Sequence, residues 1–150
     1  MLDRGFFRLL QKDLPMKYRK YIFDDAGAGS DAKDVHGREY PQKYSDKYLK
    51  AKRGRKLKRQ HDKFSGSFAP VATGDLLRDF RADASGLSSD GMGFGFVTDL
   101  GKVKSLARSG REISTNQQPL PQPVIDWIME MADIYVKKEW AKNKGGTYNI

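Results

Sequence analysis

The fold class follows from the stretch Asp79-Phe-Arg-Ala-Asp-Ala-Ser-Gly-Leu-Ser-Ser-Asp-Gly-Met-Gly-Phe-Gly-Phe-Val-Thr98. Near each end of this stretch, apolar residues alternate with charged residues or with glycine, and a repeat of two residues is typical of a β-strand. The part between the two ends, from Ser85 to Gly91, is rich in residues that form turns. We therefore predict a β-hairpin.

The first arm of this hairpin has a second interpretation. Apolar residues recur at a spacing that also suits a helix, at Leu76, Leu77, Phe80 and Ala84. Spacing alone does not distinguish the two.

Helices are predicted on both sides of the hairpin. The segment from Leu2 to Phe23 has helical spacing, but proline disfavours the helical conformation of the residue before it, so we expect a break at Leu14-Pro15 between two helices. A further helix is predicted from Leu100, with Gly110 as the glycine that ends it. The clearest amphipathic pattern follows a stiff, proline-rich connector and runs from Pro123 to about Trp140. The predicted class is α+β: a small antiparallel sheet, centred on the hairpin and packed by N-terminal helices and a long C-terminal helix.

The size and composition of the chain favour one domain. A chain of 150 residues supports one core well and two cores poorly. We expect residues 1–142 to form a single domain with a mobile basic loop at about 50–67, followed by a tail at 143–150. The absence of cysteine excludes disulfides and thiolate metal sites. No apolar run has the length of a membrane span and the first residues do not resemble a signal peptide, so we expect a soluble protein that is not secreted.

The positive charge is concentrated in one part of the chain. Between Lys33 and Lys63 there are twelve Lys or Arg and four Asp or Glu, which is +8 of the formal net charge of +9. The densest part, here called the basic segment, has seven cations and no acid: Lys50, Lys52, Arg53, Arg55, Lys56, Lys58 and Arg59. Such density is costly through self-repulsion unless an anion neutralises it, so we favour contact with an anionic polymer or an acidic protein surface over a solvated loop.

Residues suited to catalysis or metal binding are few. His36 and His61 both lie in polar, loop-like sequence and are predicted to be surface residues. No nucleophile elbow or H-E-x-x-H helix occurs, and Asp24-Asp25 lacks the spacing of a calcium loop. We therefore predict no catalytic residue, no metal site and no cofactor.

The strand Gly93-Phe-Gly-Phe-Val97 has two interpretations. It resembles the glycine-aromatic strand of RNA-recognition motifs, whose aromatic rings stack on bases. Under that interpretation, the chain is a small protein that binds RNA or single-stranded nucleic acid through Phe94, Phe96 and the basic segment. In the other interpretation, Met92, Phe94 and Phe96 face the core, while the glycines allow another backbone to approach.

The order of short motifs along the chain resembles one family. The motifs are Asp34-Val-His-Gly-Arg-Glu-Tyr, Tyr44-Ser-Asp-Lys-Tyr-Leu-Lys-Ala-Lys-Arg-Gly, Thr73-Gly-Asp-Leu-Leu-Arg-Asp-Phe and Gly110-Arg-Glu-Ile, followed by a terminal helix. Together they are similar to the neck, head-to-tail joining and tail-completion proteins of tailed bacteriophages. The likeness spans about Tyr21 to Trp140. In place of the I-P-x-R-P segment of many tail-completion proteins, this chain has its Pro119 to Pro123 connector.

The resemblance implies a structural protein of the virion with no catalytic role. Such a protein forms a homo-oligomeric ring at the head-tail neck, as a connector, tail-completion or tail-terminator component, around the channel for double-stranded DNA. It is assembled in the host cytoplasm, and its partners are other neck and tail proteins. The resemblance also favours the strand in the ambiguous first arm. We expect the basic segment to contact DNA or a partner ring, and the candidate subunit contacts are Phe94, Phe96, Leu120 and Trp127.

Overall fold

A computed structural model describes residues 2–23, 32–41, 75–83, 91–98 and 100–144 of the chain. Their elements, in chain order, are helix α1 (Arg4–Phe23), helix α2 (Asp75–Asp79), strand β1 (Phe80–Asp83), strand β2 (Gly93–Phe96), helix α3 (Leu100–Arg108) and helix α4 (Gln122–Lys144). The two strands form an antiparallel sheet on which helix α1 packs. The predicted α+β class is therefore confirmed.

The two strands of the predicted hairpin pair where their alternation predicts them, and most of the predicted turn lies outside the described residues. Phe80 is the partner of Phe96, and Ala82 is the partner of Phe94. The ambiguous first arm contains a helix followed by a strand. Helix α2 ends at Asp79, and strand β1 begins at the next residue. The buried Asp79 carboxylate joins the end of α2 to the end of β2, since it accepts hydrogen bonds from the backbone N–H groups of Val97 and Thr98.

Helix α1 continues through Pro15, so the predicted break at Leu14-Pro15 is wrong. The buried residues on both sides of the proline form one stripe with a spacing of four: Phe6, Leu10, Leu14, Tyr18 and Ile22. Burial of each large apolar side chain stabilises the fold by about 1.5–3 kcal/mol. The summed contribution exceeds the roughly 3 kcal/mol that an interior proline costs a helix. Proline is tolerated here because a break would divide the buried stripe.

The core is centred on the contact between helix α1 and the hairpin. The ring of Tyr18 stacks on Phe80, with centroids 3.7 Å apart and planes inclined by 13°. Its hydroxyl donates to the backbone carbonyl of Ile113, and burial raises the pKa of Tyr18 well above its usual value. One side chain thus joins helix α1, the sheet and the segment after α3.

Helix α3 ends where the sequence predicts, whereas helix α4 continues four residues past its predicted end at about Trp140. Gly110 has a φ of 77°, and the N–H of Arg111 donates to the carbonyl of Leu106 at 2.9 Å, so the predicted helix-ending glycine is confirmed. Helix α4 begins one residue before the predicted start and continues to Lys144, so it includes two residues assigned to the tail. It runs antiparallel to α1: Tyr135 contacts Phe6 near the start of α1, whereas Trp127 lies near Lys17.

Candidate functional site

The predicted contact residues for DNA or a partner ring lie outside the described part of the chain. They are Lys50, Lys52, Arg53, Arg55, Lys56, Lys58 and Arg59. The loop predicted at about 50–67 and His61 also lie there. The role of the basic segment therefore stays a prediction.

The two aromatic residues of strand β2 lie on the face of the sheet that carries Phe80. Phe96 is buried, and its ring meets that of Phe80 edge-on at 5.4 Å. Phe94 lies 6.2 Å from Phe80 at the margin of the core and is 38% exposed. Met92 also packs against the core. These positions agree with the interpretation in which the side chains of this strand face the core.

The other two candidate contact residues also differ in exposure. Leu120 is buried, whereas Trp127 is half-buried with the ammonium of Lys17 5.4 Å from its ring centroid. Because Phe96 and Leu120 are covered by their own chain, their side chains do not form the outer surface of this structure. Phe94 and Trp127 stay candidates for contact with a neighbouring subunit.

The Asp34-Val-His-Gly-Arg motif forms a tight turn around a buried carboxylate. Asp34 accepts hydrogen bonds from the backbone N–H groups of His36 and Arg38, at 2.9 and 2.8 Å. It also accepts one from the Arg38 guanidinium at 2.8 Å, a contact that raises the pKa of Arg38. Gly37 has a φ of 80°, which a residue with a side chain rarely adopts. The spacing of aspartate, glycine and arginine is thus explained by this turn.

This turn is attached to the segment after α3 by side-chain and backbone contacts. The Glu112 carboxylate lies 2.9 Å from the Arg38 guanidinium and 2.7 Å from Nε2 of His36. The backbone N–H of Val35 donates to the carbonyl of Glu112 at 2.8 Å. The Asp34 motif and the Gly110-Arg-Glu-Ile motif, far apart in the chain, therefore meet in a single cluster, here called the junction.

Gln118 and Arg111 extend the junction on its two sides. The Gln118 amide nitrogen donates to the carbonyl of Val35 at 3.2 Å, which directs its oxygen toward Nδ1 of His36, 3.1 Å away. The Arg111 side chain is buried and donates to the backbone carbonyl of Pro41 at 2.9 Å. The Asp34 turn and Pro41, which follows it, are thereby held to the segment between α3 and α4.

The chemistry of the junction is that of a polar connection between segments. Its carboxylates are engaged by arginine and by backbone N–H groups, an arrangement that fixes geometry. In the described parts of the chain, no group of three His, Asp, Glu or Cys side chains is placed to hold a metal ion. Sequence reasoning missed the junction because His36 and Glu112 are distant along the chain. The available signal was the pairing of Asp34 with Gly37, which is typical of a carboxylate-capped turn.

Large apolar side chains are exposed on helix α1, at Leu9 and Met16, on helix α4 and around the start of helix α3. Helix α4 exposes Met129 by 66%, Ile134 by 40% and Trp140 by 61%. The region around the end of β2 and the start of α3 exposes Val97 by 61% and Leu100 by 55%, next to Phe94. Apolar residues that cluster on a surface are typical of sites where another macromolecule binds.

Comparison with known proteins gives no relative, since no family model, curated protein or solved structure matches the chain. Among the described helices, none has the length and apolar character needed to cross a membrane.

Proposed function

We propose that the chain is a structural protein of the virion of a tailed bacteriophage. In this proposal, it forms a homo-oligomeric ring at the head-tail neck, as a connector, tail-completion or tail-terminator component. The ring surrounds the channel for double-stranded DNA, its partners are other neck and tail proteins, and it acts without a cofactor or catalytic residues.

The observation that carries the proposal is the convergence of two of the motifs on which the resemblance rests. Asp34 and Arg38 belong to one motif and Glu112 to another, and their side chains are joined by hydrogen bonds and ion pairs of 2.8–2.9 Å. A third motif, which ends in Asp79-Phe80, contains the end of α2 and the start of β1. The residues of these motifs therefore make contacts that hold the fold together, as is expected of a structural protein.

The exposed apolar residues support assembly into a ring. A ring requires two different surfaces on each subunit, since the front of one copy contacts the back of the next. Exposed apolar residues occur on α4 at Met129 and, separately, near the start of α3 at Leu100. Repetition of a subunit also multiplies the charge of the basic segment around one axis, which would attract DNA or an acidic partner ring.

The RNA-binding alternative receives less support. Base stacking on this strand needs rings that are open to solvent. Phe96 is only 9% exposed, and its ring packs edge-on against those of Tyr18 and Phe80, with centroids at 6.0 and 5.4 Å. Withdrawal of Phe96 from the core would expose a large apolar area, so only Phe94 is accessible to a base.

Electron microscopy of the concentrated chain tests the proposal. Rings with a central opening are expected, whereas a chain that stays monomeric and binds single-stranded RNA would contradict it. For the alternative, loss of RNA binding on Phe94→Ala would be the decisive result.

The basic segment is tested separately within the ring. Joint replacement of Arg53, Arg55, Lys56 and Arg59 by serine should leave the fold intact and impair DNA retention or attachment to the neighbouring ring. A matched control replaces four exposed cations of the described helices by serine: Lys12, Lys20, Lys102 and Lys138. Equal impairment in both variants would show that net charge, and not the basic segment, determines the effect.

A further inference from the structure

We infer that neighbouring copies of this chain bind each other through an acidic face of α4 on one copy and a basic face of α3 on the next. This inference rests on the proposed homo-oligomer and assigns its subunit interface. Its occupant is a second copy of the chain, and the two faces are opposite in charge and similar in length.

The acidic face lies on the outer side of helix α4. Asp126, Met129, Glu130 and Asp133 are spaced by three and four residues, so they share one side of the helix. All four are exposed, with Met129 at 66%. Between Gln122 and Val136, helix α4 contains three acids and no base. An exposed apolar residue is thus flanked by three carboxylates, of which that of Asp133 is paired with the Lys137 ammonium at 2.6 Å.

The basic face lies on helix α3. Leu100, Lys104 and Arg108 recur every four residues and share one side of the helix. All three are exposed, with Leu100 at 55%, and Val97, exposed by 61%, lies just before the helix. Helix α3 contains three bases and no acid. It therefore combines exposed apolar side chains with positive charge.

The two faces are similar in length and opposite in charge. From Leu100 to Arg108 the helix rises by about 12 Å, and from Asp126 to Asp133 by about 10.5 Å. Leu100 and Met129 supply apolar area, while the surrounding charges select the partner and its orientation. Copies in which two α4 faces, or two α3 faces, met each other would juxtapose like charges.

When the α4 face of one copy binds the α3 face of the next, the first copy keeps a free α3 face and the second keeps a free α4 face. Addition therefore continues until the assembly closes into a ring or grows as a filament. The charges disfavour dimers in which two α4 faces or two α3 faces meet, and the head-to-tail contact continues beyond two copies, whereas a reciprocal dimer uses all four faces at once. The unlike faces thus explain why a ring would be built from one kind of subunit.

Charge reversal tests the pairing. Lys104→Glu with Arg108→Glu reverses α3, and Asp126→Lys with Glu130→Lys reverses α4. Sedimentation velocity should show self-association weakened by about tenfold or more in each variant alone, because like charges meet at the contact. The matched control is Lys12→Glu with Lys20→Glu on exposed positions of α1, which changes the net charge as the α3 variant does. The control should associate like the original chain.

An equimolar mixture of the two reversed variants gives the sharpest result. The reversed α3 of one variant complements the reversed α4 of the other, and the unreversed faces still match, so association should return. Association of both single variants at the level of the original chain would overturn the inference. A mixture that stays as weak as its components would also overturn it.

Disulfide trapping detects a weak contact, since the chain has no cysteine of its own. Lys104→Cys with Glu130→Cys in one chain should give a ladder of dimers, trimers and longer species on oxidation. The control, Lys104→Cys with Lys12→Cys, should give such a ladder far more slowly. Equal rates for the two pairs would argue against these faces.

Failure of this inference is distinguishable from failure of the proposed function. Rings that are insensitive to charge reversal would reject the assigned faces and leave the neck ring in place. Association that depends on both faces but gives only filaments would support the faces and reject the ring. A chain that neither associates nor forms the ladder would reject both.

Discussion

Helices α1 and α4 are similar in length and differ in what they bury. Helix α1 has 20 residues, six of which are buried. Helix α4 has 23 residues, and Val124 is its only buried one. Helix α1 packs on both the sheet and α4, whereas α4 leaves Met129, Ile134 and Trp140 exposed. The fold of a single chain therefore depends on α1, while much of α4 is available for contact with another molecule.

Helix α4 also extends beyond the end of α1, which leaves more of α4 exposed. Tyr135 contacts Asp3, which lies just before the start of α1, so the part of α4 beyond Tyr135 extends past that end of α1. Nine residues of helix, about 13 Å, follow this contact. Their exposed Trp140 is partly covered by Lys144, whose ammonium lies 5.0 Å from the ring centroid.

The largest expected effect is a loss of stability when a buried residue of α1 is replaced. Tyr18→Ala should lower the free energy of unfolding by about 3–5 kcal/mol, because it removes a fully buried aromatic ring. Tyr18→Phe keeps the ring and removes the hydrogen bond to Ile113, so its expected cost is about 1–2 kcal/mol. Denaturant unfolding measures both. A loss below about 1 kcal/mol for Tyr18→Ala would contradict the central position of Tyr18.

The junction should have the next largest effect. Asp34→Ala removes three hydrogen bonds from a carboxylate that is 2% exposed, and we expect a loss of about 2–3 kcal/mol in the free energy of unfolding. Arg38→Ala removes the exposed partner of the ion pair and is expected to cost about 1 kcal/mol or less. Thermal unfolding of both variants tests the order. Equal losses would mean that the ion pair, and not the backbone turn, stabilises the junction.

On the α4 side, stability and association should respond differently. Met129→Ser removes an exposed side chain, so the free energy of unfolding should change by no more than about 0.5 kcal/mol. Self-association should weaken, because the apolar centre of the acidic face is lost. Met16→Ser is a suitable control, since Met16 is exposed on α1 by 57%. Loss of stability in Met129→Ser would indicate that α4 packs within its own chain at this position.

The smallest effect is expected where the two helices meet. The Tyr135 hydroxyl donates to the Asp3 carboxylate at 2.7 Å, which raises the pKa of Tyr135 to about 12 and lowers the pKa of Asp3. The stabilisation from Tyr135 is present below its ordinary pKa of 10.0 and is lost as the pH rises through about 12. The stabilisation from Asp3 is present above its ordinary pKa of 3.8 and is lost as the pH falls below that value.

Spectroscopic titration measures this contact directly. Comparison of the original chain with Tyr135→Phe isolates the signal of Tyr135. In Asp3→Asn the midpoint should move down toward 10.0, because the carboxylate is absent. An unchanged midpoint in Asp3→Asn would contradict the contact between the start of α1 and α4.

The parts of the fold that were predictable from sequence have strong local patterns. Alternation around Phe80 and Phe96 predicted the hairpin, and the pattern after Pro123 predicted α4. The break predicted at Pro15 failed because a local rule for proline was applied without the tertiary contacts that bury Leu14 and Tyr18. The physical reason is that burial along a whole helix outweighs one missing hydrogen bond.

The candidate site was less predictable because its contacts are distant along the chain. The aspartate and glycine of the Asp34 turn were visible as a motif, but their connection to Glu112 depends on how α1, the sheet and α3 are packed. Phe94 and Phe96 look equivalent in the sequence. Their difference in exposure arises because Phe96 lies opposite Phe80 in the register of the hairpin, whereas Phe94 lies opposite Ala82, nearer the connection between the strands.

The central claim is that this chain is a subunit that assembles with copies of itself, and a sedimentation velocity series tests it most directly. As the protein concentration rises at low salt, the 17.0 kDa chain should convert into larger species of defined size, and added salt should reverse the conversion. A single 17.0 kDa species at every concentration and salt level would contradict the claim.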